Sequence, residues 1–365
     1  MINGFRRKSL SRHREIRVPV ALGAADDRLT LWASPGEYPV YDSYDYDYMA
    51  EDKVCESAYE SALRAVSAGR TVLDIGTGRD LDWATLALEY GARHATAVEG
   101  MESTAVLARK TLEKSPYRDR LTLVRSWSTE LETDRRFDLC VSEIIGSIGG
   151  SEGAAAALAD AHARLLAPGG VMVPDRCVTM AGGICVRDIV PDLAFHPESL
   201  PYLDRIFAST GHPFDVRLLL SHPTPEALLT DHAPVETLEF AAGVTVEAVE
   251  TAELTVHTAG RIDGLLLWIN LWAHPQDPPI DALATETAWG TTYLPCFDEP
   301  VDVRPGDRLS VRLGRTLSDD GRHPDYHLRA RLETVTGTHH GSFLSTHHGR
   351  VFRSNPLYEE IFSLR

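Results

Sequence analysis

Short apolar runs alternate with amphipathic stretches in the middle of this chain. Three apolar runs of strand length lie at residues 71–75, 95–99 and 137–142. The stretch 81–90 has helical periodicity, and the stretch 152–166 is rich in alanine, the residue with the highest helix propensity. Strands that alternate with helices are typical of βαβ units around a parallel sheet. The pattern therefore predicts an α/β domain here.

The pattern changes from residue 176 onward, where β-branched segments and turn residues dominate. The apolar run 264–272 and the alternating run 309–313 predict strands of a barrel. Residues 190–232 differ from both parts, because they are Pro-rich and mixed. We expect residues 1–40 to form an arm with one short strand at 18–22. The predicted domains are the arm (1–40), the α/β domain (41–175) and the β-barrel (176–365).

A glycine turn follows the first apolar run and contains Asp74, Gly76 and Gly78. The third glycine of a dinucleotide fingerprint is missing, because Leu81 stands there, so phosphate binding is not indicated. Glu99 ends the next run 21 residues after Gly78, close to the spacing at which an acid meets ribose hydroxyls. This combination suits adenosine without a phosphate, as in S-adenosylmethionine (SAM). The alternative is that Glu99 is a surface acid at a strand end.

A Gly-rich loop after the third apolar run begins at one glutamate, Glu143, and ends at a second, Glu152. A carboxylate at the end of a buried strand is costly unless it has a cationic partner. Two such groups that face one cavity are suited to hold a cation, or a nitrogen about to become one. The alternative is that Glu143 is a surface residue and Glu152 is the first-turn acid of the next helix.

These motifs follow the order found in the protein arginine methyltransferases, which residues 40–175 resemble. The segments that carry the resemblance are 41–54 (the helical lid over SAM), 72–78 (the SAM motif), 97–99 (the ribose-binding strand), 142–152 (the double-E loop) and 165–174. The segments 264–272, 287–289 and 298–307 resemble the family's β-barrel less closely. The resemblance implies a Rossmann-like class I SAM methyltransferase domain followed by a β-barrel domain.

The resemblance also implies roles for individual residues of this sequence. Glu143 and Glu152 are the implied catalytic residues, and Tyr44 and Trp289 are the implied substrate contacts. The residues implied to bind the cofactor SAM are Asp74, Gly76, Gly78, Glu99, Gly100, Ser128, Thr129, Met49 and Tyr44. A helical dimerisation arm at residues 190–232 implies a homodimer.

The sequence departs from the family pattern in four places. The Arg that pairs with the SAM carboxylate is Cys55 here, so Lys53, another Arg or water has to take that role. Asp80 replaces a glycine of the turn, and Ala288 replaces the His of the Thr-His-Trp loop. The loop 146–151 is small where the family is bulky, and we expect a wider or more mobile pocket floor. Because guanidinium recognition requires a rigid bidentate geometry, these departures weaken arginine as the substrate more than they weaken methyl transfer.

Composition excludes several classes of function. The net charge of −17 over 365 residues argues against nucleic-acid binding and favours a basic substrate. The alternative, which accounts for most of this charge, is that it serves solubility. There is neither an 18-residue apolar run nor a secretory signal, so we expect a cytoplasmic protein without a membrane partner. The five cysteines are scattered, which indicates neither zinc nor a disulfide framework. Four histidines near the C-terminus are interpreted as exposed hairpin residues rather than metal ligands: His339, His340, His347 and His348.

Three functions remain open. The first is SAM-dependent N-methylation of an amine or guanidine on a small molecule or peptide of specialised metabolism, such as daptide-like maturation of a ribosomal peptide. The second is protein arginine N-methylation. The third is an inactive SAM-binding scaffold, which the loss of the Arg at Cys55 favours and the pair Glu143 and Glu152 opposes.

Overall fold

The computed structural model describes residues 5–11, 14–21, 29–34, 43–210, 217–347 and 355–364. The N-terminal strands are β1 (Phe5–Ser11), β2 (Arg14–Pro19) and β3 (Leu31–Ala33). The α/β part contains α1 (Ser43–Ala50), α2 (Lys53–Val66), β4 (Thr71–Ile75), α3 (Asp82–Glu89), β5 (His94–Glu99), α4 (Glu102–Lys114), β6 (Leu121–Arg125), β7 (Phe137–Ser142), α5 (Ala154–Asp160) and β8 (Leu166–Val173).

The remaining part of the chain is mostly strand. Its elements are β9 (Arg176–Ile184), α6 (Val186–Ile189), α7 (Leu200–Thr210), β10 (Leu218–Leu220), β11 (His232–Glu239), β12 (Ala248–Thr255), β13 (Gly260–Ile262), β14 (Gly264–Trp272), β15 (Ile280–Asp281), β16 (Thr291–Pro295), β17 (Val301–Val303), β18 (Arg308–Leu317), β19 (Pro324–Thr334), β20 (Gly337–Ser345), α8 (Pro356–Ile361) and β21 (Ser363–Leu364). Single 3₁₀ turns lie at Ser128–Glu130, Pro191–Leu193, Pro197–Ser199 and Pro225–Ala227, and a π-helical turn at Ala161–Leu165 continues α5.

The five strands of the α/β part form one parallel sheet in the order β6-β5-β4-β7-β8. The strands β4 and β7 at its centre are almost entirely buried, as expected for a sheet covered by helices on its faces. The order reverses at β4, between β5 and β7. In such sheets, ligands bind at the carboxyl ends of the strands beside this reversal.

The strands that follow pair in antiparallel fashion. One sheet has the order β11-β9-β14-β16-β10-β3, with β15 on β14, and a second has the order β12-β18-β19-β20. The run 264–272 is a strand as predicted, and it pairs with β9 along its whole length. The predicted fold class, a Rossmann-like domain followed by a β-barrel domain, is therefore confirmed.

Two segments differ in detail from the sequence prediction. In the segment 1–40, the described residues form three strands instead of one: β1 pairs with β2, β2 ends at Pro19, and β3 pairs with β10. Residue 22 of the predicted strand 18–22 lies outside the described residues. Val18, Val20 and Leu31 are buried in the core of the antiparallel part, because their apolar side chains complete that core. The segment 190–232 contains the helix α7 as expected, but it also contributes β10 to the barrel sheet.

The two parts share a packed boundary. Leu238, Ile269 and Leu271, from strands β11 and β14, belong to the same apolar core as the strands of the parallel sheet. Their burial fixes the position of the barrel against the α/β domain. Among the described residues, no helix has the length and apolar character to cross a membrane.

Candidate functional site

A cavity of about 1240 Å³ opens at the carboxyl ends of the parallel strands. This volume exceeds the ~300–1,000 Å³ of typical small-molecule sites, so there is room for a cofactor together with an acceptor. Residues from the glycine turn, the lid helices, the end of β5, the segment after β6 and both ends of the loop 143–152 line the cavity. Most of the residues predicted from the sequence therefore meet at one place.

The glycine turn after β4 requires glycine at two positions. Gly76 and Gly78 have φ angles of 72° and 67°, in the left-handed region that other residues rarely adopt. A Cβ atom on Gly76 would also lie 2.5 Å from Ile144 Cγ2, which belongs to the loop after β7. The turn therefore brings bare backbone to the cavity wall, as a closely approaching ligand requires.

Asp74 lies behind the turn instead of on the cavity wall, which corrects its predicted role. It is fully buried, and its Oδ2 accepts hydrogen bonds from the Thr77 hydroxyl (2.6 Å) and the Ala84 N–H (3.1 Å). Burial raises the pKa of this carboxyl to about 7. Asp74 thus fixes the turn and the start of α3, and it shapes the site from beneath.

Glu99 is placed where an acid can meet ribose. Its carboxylate accepts hydrogen bonds from the backbone N–H groups of Gly78 (3.1 Å) and Met101 (2.7 Å), which orient it along the cavity wall. Burial raises the pKa of Glu99, and these backbone hydrogen bonds oppose the shift. A carboxylate has about four acceptor positions, so it can still accept from two ribose hydroxyls. Together with the bare turn, this arrangement fits the adenosine part of SAM.

The segment after β6 lines the cavity next to the end of β5. Ser128 and Thr129 line the cavity as expected, and so does Gly100. A Cβ atom on Gly100 would lie 2.6 Å from the Trp127 ring, so the glycine is needed for this ring to pack. The Arg322 guanidinium covers the ring at 4.1 Å from its centroid. Trp127 and Arg322 were not predicted, because their contact joins two distant parts of the chain.

The lid helices border the cavity from above. Met49 lines it, whereas the Tyr44 side chain lies outside the described residues, so both predicted roles of Tyr44 stay predictions. Tyr46, on the same helix, was missed by the sequence analysis. It lines the cavity, and the Arg79 guanidinium lies 5.1 Å from its ring centroid. Arg79 also forms ion pairs with Asp47 and Asp80.

Cys55, which replaces the Arg of the family pattern, is buried near the start of α2 and also reaches the cavity. Burial raises the pKa of its thiol well above the usual value, so it is a neutral group. Lys53 lines the cavity as well, and its ammonium bonds Glu56 at 2.6 Å and Ala50 O at 3.3 Å. Lys53 therefore reaches the cavity, and so does Arg322, so both remain candidates for the partner of the SAM carboxylate.

Glu143 follows the last residue of β7 and faces the cavity. Burial raises the pKa of its carboxyl to about 7; hydrogen bonds from Ile145 N–H and the Trp289 side chain oppose the shift, and the Asp52 carboxylate adds to it. A shift from 4.5 to about 7 corresponds to about 3 kcal/mol of preference for the neutral form. A bound cation removes this cost, so the site is suited to a cationic ligand.

Glu152 reaches the same cavity from the other end of the loop. It precedes Gly153, which is the N-cap residue of α5 and has a φ of 92°. Glu152 is therefore not a first-turn residue of that helix, which removes the alternative interpretation of its position. A Cβ atom on Gly146 would lie 3.2 Å from Glu152 Cγ, so the loop folds back and packs this side chain against its own beginning.

The loop 146–151 needs small residues for a different reason from the one expected. They do not leave free space, because added Cβ atoms at Gly146, Gly149 and Gly150 would lie 2.0, 2.7 and 2.9 Å from neighbouring side chains. Gly146, Ile148, Gly149, Gly150 and Ser151 are all buried. The loop is small because it packs closely against the barrel, which gives no support to a mobile floor.

The loop after β15 closes the site from the barrel. The Ala288 N–H donates to Asp52 Oδ2 at 2.7 Å, and Asp52 also caps α2. The Trp289 indole N–H donates to Ile145 O at 2.9 Å. Trp289 thus supports the loop next to Glu143, and its predicted contact with the substrate stays a prediction.

The prediction of exposed hairpin histidines agrees with the structure for His340, which is exposed on β20, but not for His347, which is buried. His339 and His340 lie on β20, His348 lies outside the described residues, and His347 is buried beside His323 and Asp320 on the cavity wall. The two rings are stacked, with centroids 3.9 Å apart, and Asp320 Oδ2 lies 2.5 Å from His323 Nδ1. Imidazole lone pairs lie in the ring plane, so stacked rings cannot aim at one metal ion. The geometry favours a hydrogen-bonded carboxylate–imidazole cluster.

Comparisons with known proteins give a consistent result, although no family model matches the chain. A Streptomyces achromogenes protein named arginine N(omega)-methyltransferase is 30% identical over 283 residues, which are 73% of this chain and 74% of that protein. Protein arginine N-methyltransferase 1 of Saccharomyces cerevisiae is 24% identical over 302 residues, or 77% and 84% of the two chains.

Solved structures share the fold. Arabidopsis thaliana protein arginine methyltransferase 10, described in a uniquely open conformation, has a TM-score of 0.65 at 19% identity and covers 83% of this chain and 97% of its own. The Trypanosoma brucei PRMT1 enzyme–prozyme heterotetrameric complex with AdoHcy has a TM-score of 0.65 at 20% identity, with coverages of 83% and 99%.

Proposed function

The chain belongs to the arginine N-methyltransferase family, and we propose that it methylates the guanidine nitrogen of a small molecule or short peptide. It is a SAM-dependent N-methyltransferase. Glu143 carries the proposal, because it is a carboxylate at a cavity wall whose buried position disfavours its charge until a cation binds. Glu152 faces the same cavity and supplies the second carboxylate of a guanidinium clamp.

The two carboxylates have distinct tasks in this proposal. A guanidinium is planar, and its N–H groups pair with carboxylates in fixed directions. Glu143 and Glu152 hold the plane from two sides, so that one nitrogen is directed at the methyl group. Orientation of this kind supplies a large part of the rate acceleration.

Charge and protons are also controlled by these residues. SAM supplies an electrophilic methyl group when it is bound. A bond forms between the guanidine nitrogen and the methyl carbon while the sulfur–carbon bond breaks, and the nitrogen then loses a proton. Glu143 and Glu152 stabilise the positive charge on the acceptor, and one of them accepts that proton.

The acceptor class is favoured by the Streptomyces relative, whose name mentions arginine without a protein. The family's His is also absent from the loop at Ala288, whose contribution to the site is a backbone N–H bound to Asp52. The biological setting that we propose is specialised metabolism, including maturation of ribosomal peptides. Methylation of arginine in proteins is the second candidate, and the yeast relative, which aligns with 77% of this chain, supports it.

Product analysis by mass spectrometry tests the acceptor directly. The purified protein is incubated with SAM and one acceptor in each of several parallel reactions. The acceptors are L-arginine, an Arg/Gly-repeat peptide, a short peptide with a free amino terminus and a panel of simple amines. We expect one or more methyl groups to be added to L-arginine at a higher rate than to the Arg/Gly-repeat peptide. Faster methylation of the repeat peptide would establish the second candidate, and methylation of amines alone would refute a guanidine acceptor.

We also propose a homodimer, built on the segment 190–232 with its helix α7. The Trypanosoma complex is heterotetrameric, which supports assembly as a property of the family. Light scattering on the purified chain tests this proposal, and a monomer at micromolar concentration would contradict it.

A further inference from the structure

A buried glutamate on the barrel, Glu236, contacts the loop that carries Glu143 and Glu152 from behind. Its side chain is 2% exposed. Four donors surround its carboxylate: Arg315 Nη1 (2.7 Å), Thr179 Oγ1 (2.7 Å), Tyr326 OH (2.9 Å) and Gly150 N–H (3.1 Å). A buried charge persists only with a cation and further hydrogen bonds, and Glu236 has both.

Arg315 is held as firmly as its partner. Its other guanidinium nitrogens donate to Val246 O at 2.8 Å and Thr245 O at 2.6 Å. The side chain is 4% exposed, so solvent does not compete for these contacts. Glu236 therefore has a fixed position in the barrel, and any group bound to it is fixed as well.

Thr179 extends this contact by one residue of the loop. Its hydroxyl donates to Glu236 and accepts the Gly149 N–H at 3.0 Å. Two consecutive loop amides, at Gly149 and Gly150, are thus bound by the barrel. Side chains at these two positions would occupy the space of Cys177 and Glu236, so glycine is required for the contact.

The second bound amide, at Gly150, lies two residues before Glu152. Tight backbone hydrogen bonds connect Ser151 N–H to Ile148 O (2.8 Å) and Gly153 N–H to Gly150 O (3.0 Å). Displacement of Gly150 therefore displaces Glu152, because the intervening turn moves as one unit. Reaction rates respond to shifts of about 1 Å with losses of about 100-fold.

We propose that Glu236 is a positioning residue of the active site, which holds the loop through Thr179 and Gly150 so that Glu152 faces the acceptor. This inference rests on the proposed role of Glu143 and Glu152 as the acceptor clamp. It makes the barrel a part of the catalytic site rather than a separate substrate platform.

The variant Thr179→Val tests the proposal without adding a buried charge. It keeps the shape of the side chain and removes the hydroxyl that joins Gly149 to Glu236. We expect kcat to fall about 10- to 100-fold, while calorimetric affinity for S-adenosylhomocysteine stays within about twofold of the wild type. Hydrogen exchange at the Gly149 and Gly150 amides is expected to become faster, because their barrel partners are weakened.

Thr230→Val is the matched control. Thr230 is also a buried barrel threonine whose hydroxyl accepts a glycine N–H, that of Gly183 at 2.8 Å, but it does not contact the loop. A merely structural role predicts equal effects of the two variants on melting temperature and on kcat. We expect similar losses of melting temperature and a loss of kcat in Thr179→Val alone.

A second pair of variants addresses the carboxylate itself. Glu236→Gln replaces an acceptor oxygen with a donor in a site of four donors. Glu250→Gln makes the same change at a barrel carboxylate that accepts hydrogen bonds from the N–H and hydroxyl of Thr237 rather than from the loop. Wild-type kcat in both Thr179→Val and folded Glu236→Gln overturns the inference. Failure of the proposed function is a separate result, since it appears as full activity of Glu143→Gln and Glu152→Gln, and the positioning role then falls with it.

Discussion

A glutamate lies on each side of the loop 143–152, but the two carboxylates have opposite electrostatic environments. On the barrel face, Glu236 is surrounded by donors that include the Arg315 guanidinium. On the cavity face, burial raises the pKa of Glu143 to about 7, and a second carboxylate, Asp52, adds to the shift. The protein itself supplies the partners of Glu236, whereas in the proposed function a cationic ligand pairs with Glu143. The comparison teaches that burial identifies a functional acid only together with its partners.

Removal of the Glu143 carboxylate, on the cavity side of the loop, is expected to have the largest effect, and this effect is on kcat. The variant Glu143→Gln keeps the shape of the side chain but cannot hold a cation or accept a proton. We expect kcat to fall about 1,000-fold, with affinity for S-adenosylhomocysteine nearly unchanged in calorimetry. Full activity of this variant would remove Glu143 from the acceptor site.

Removal of the Arg315 guanidinium, the cation on the barrel side of the loop, is expected to affect the free energy of unfolding more than it affects the affinity for the cofactor. Arg315→Met leaves Glu236 buried without its cation, which costs about 3–5 kcal/mol in similar cases. Urea unfolding measures this loss in the free energy of unfolding. Arg312→Met, at an exposed position of the same strand, is the control and is expected to change the free energy by less than about 0.5 kcal/mol. Equal stability of the two variants would contradict the difference between the faces.

The pH dependence of kcat/KM is expected to report the ionisation of Glu143. Glu143 has to be ionised to hold a guanidinium, and its pKa is about 7 in the ligand-free protein. We therefore expect kcat/KM to fall about tenfold per unit as the pH decreases below about 7. Asp74 has a similar pKa, so the affinity for S-adenosylhomocysteine over the same pH range is the control. A flat kcat/KM between pH values of about 5 and 8 would contradict the assignment.

The smallest expected effect is on stability. The pKa of Glu143 is higher in the folded protein than in the unfolded chain, so its contribution to stability is present at low pH and is lost as the pH rises through about 7. Between pH 6 and pH 8, this group alone lowers the free energy of unfolding by about 1.4 kcal/mol. We expect Glu143→Gln to reduce the pH dependence of unfolding by that amount, and an unchanged dependence would contradict the raised pKa.

The cavity face could be predicted from the sequence because its signals are local. Gly76, Gly78, Glu99 and Glu143 lie at or just beyond the ends of apolar runs, and the ends of parallel strands meet at one edge of a sheet. The pattern did not distinguish a residue on the cavity wall from one beneath it. Asp74 is an example, since only its contacts with Thr77 and Ala84 place it behind the turn.

The barrel face could not be predicted, because its partners are distant in sequence. Thr179 and Tyr326 lie 57 and 90 residues from Glu236, and no spacing rule connects them. The histidines show the same limitation. His347 lies beside Asp320 and not beside His340, because antiparallel strands bring together residues that are remote along the chain.

Calorimetric titration of L-arginine into the protein saturated with S-adenosylhomocysteine tests the central claim most directly. The titration is carried out at a pH of about 6.5, just below the pKa of Glu143, in two buffers of different ionisation enthalpy. We predict that arginine binds and releases part of a proton, because the guanidinium favours the ionised carboxylate, and that Glu143→Gln loses both the binding and the release. Equal binding by the variant, without a change in proton release, would show that the acceptor site lies elsewhere.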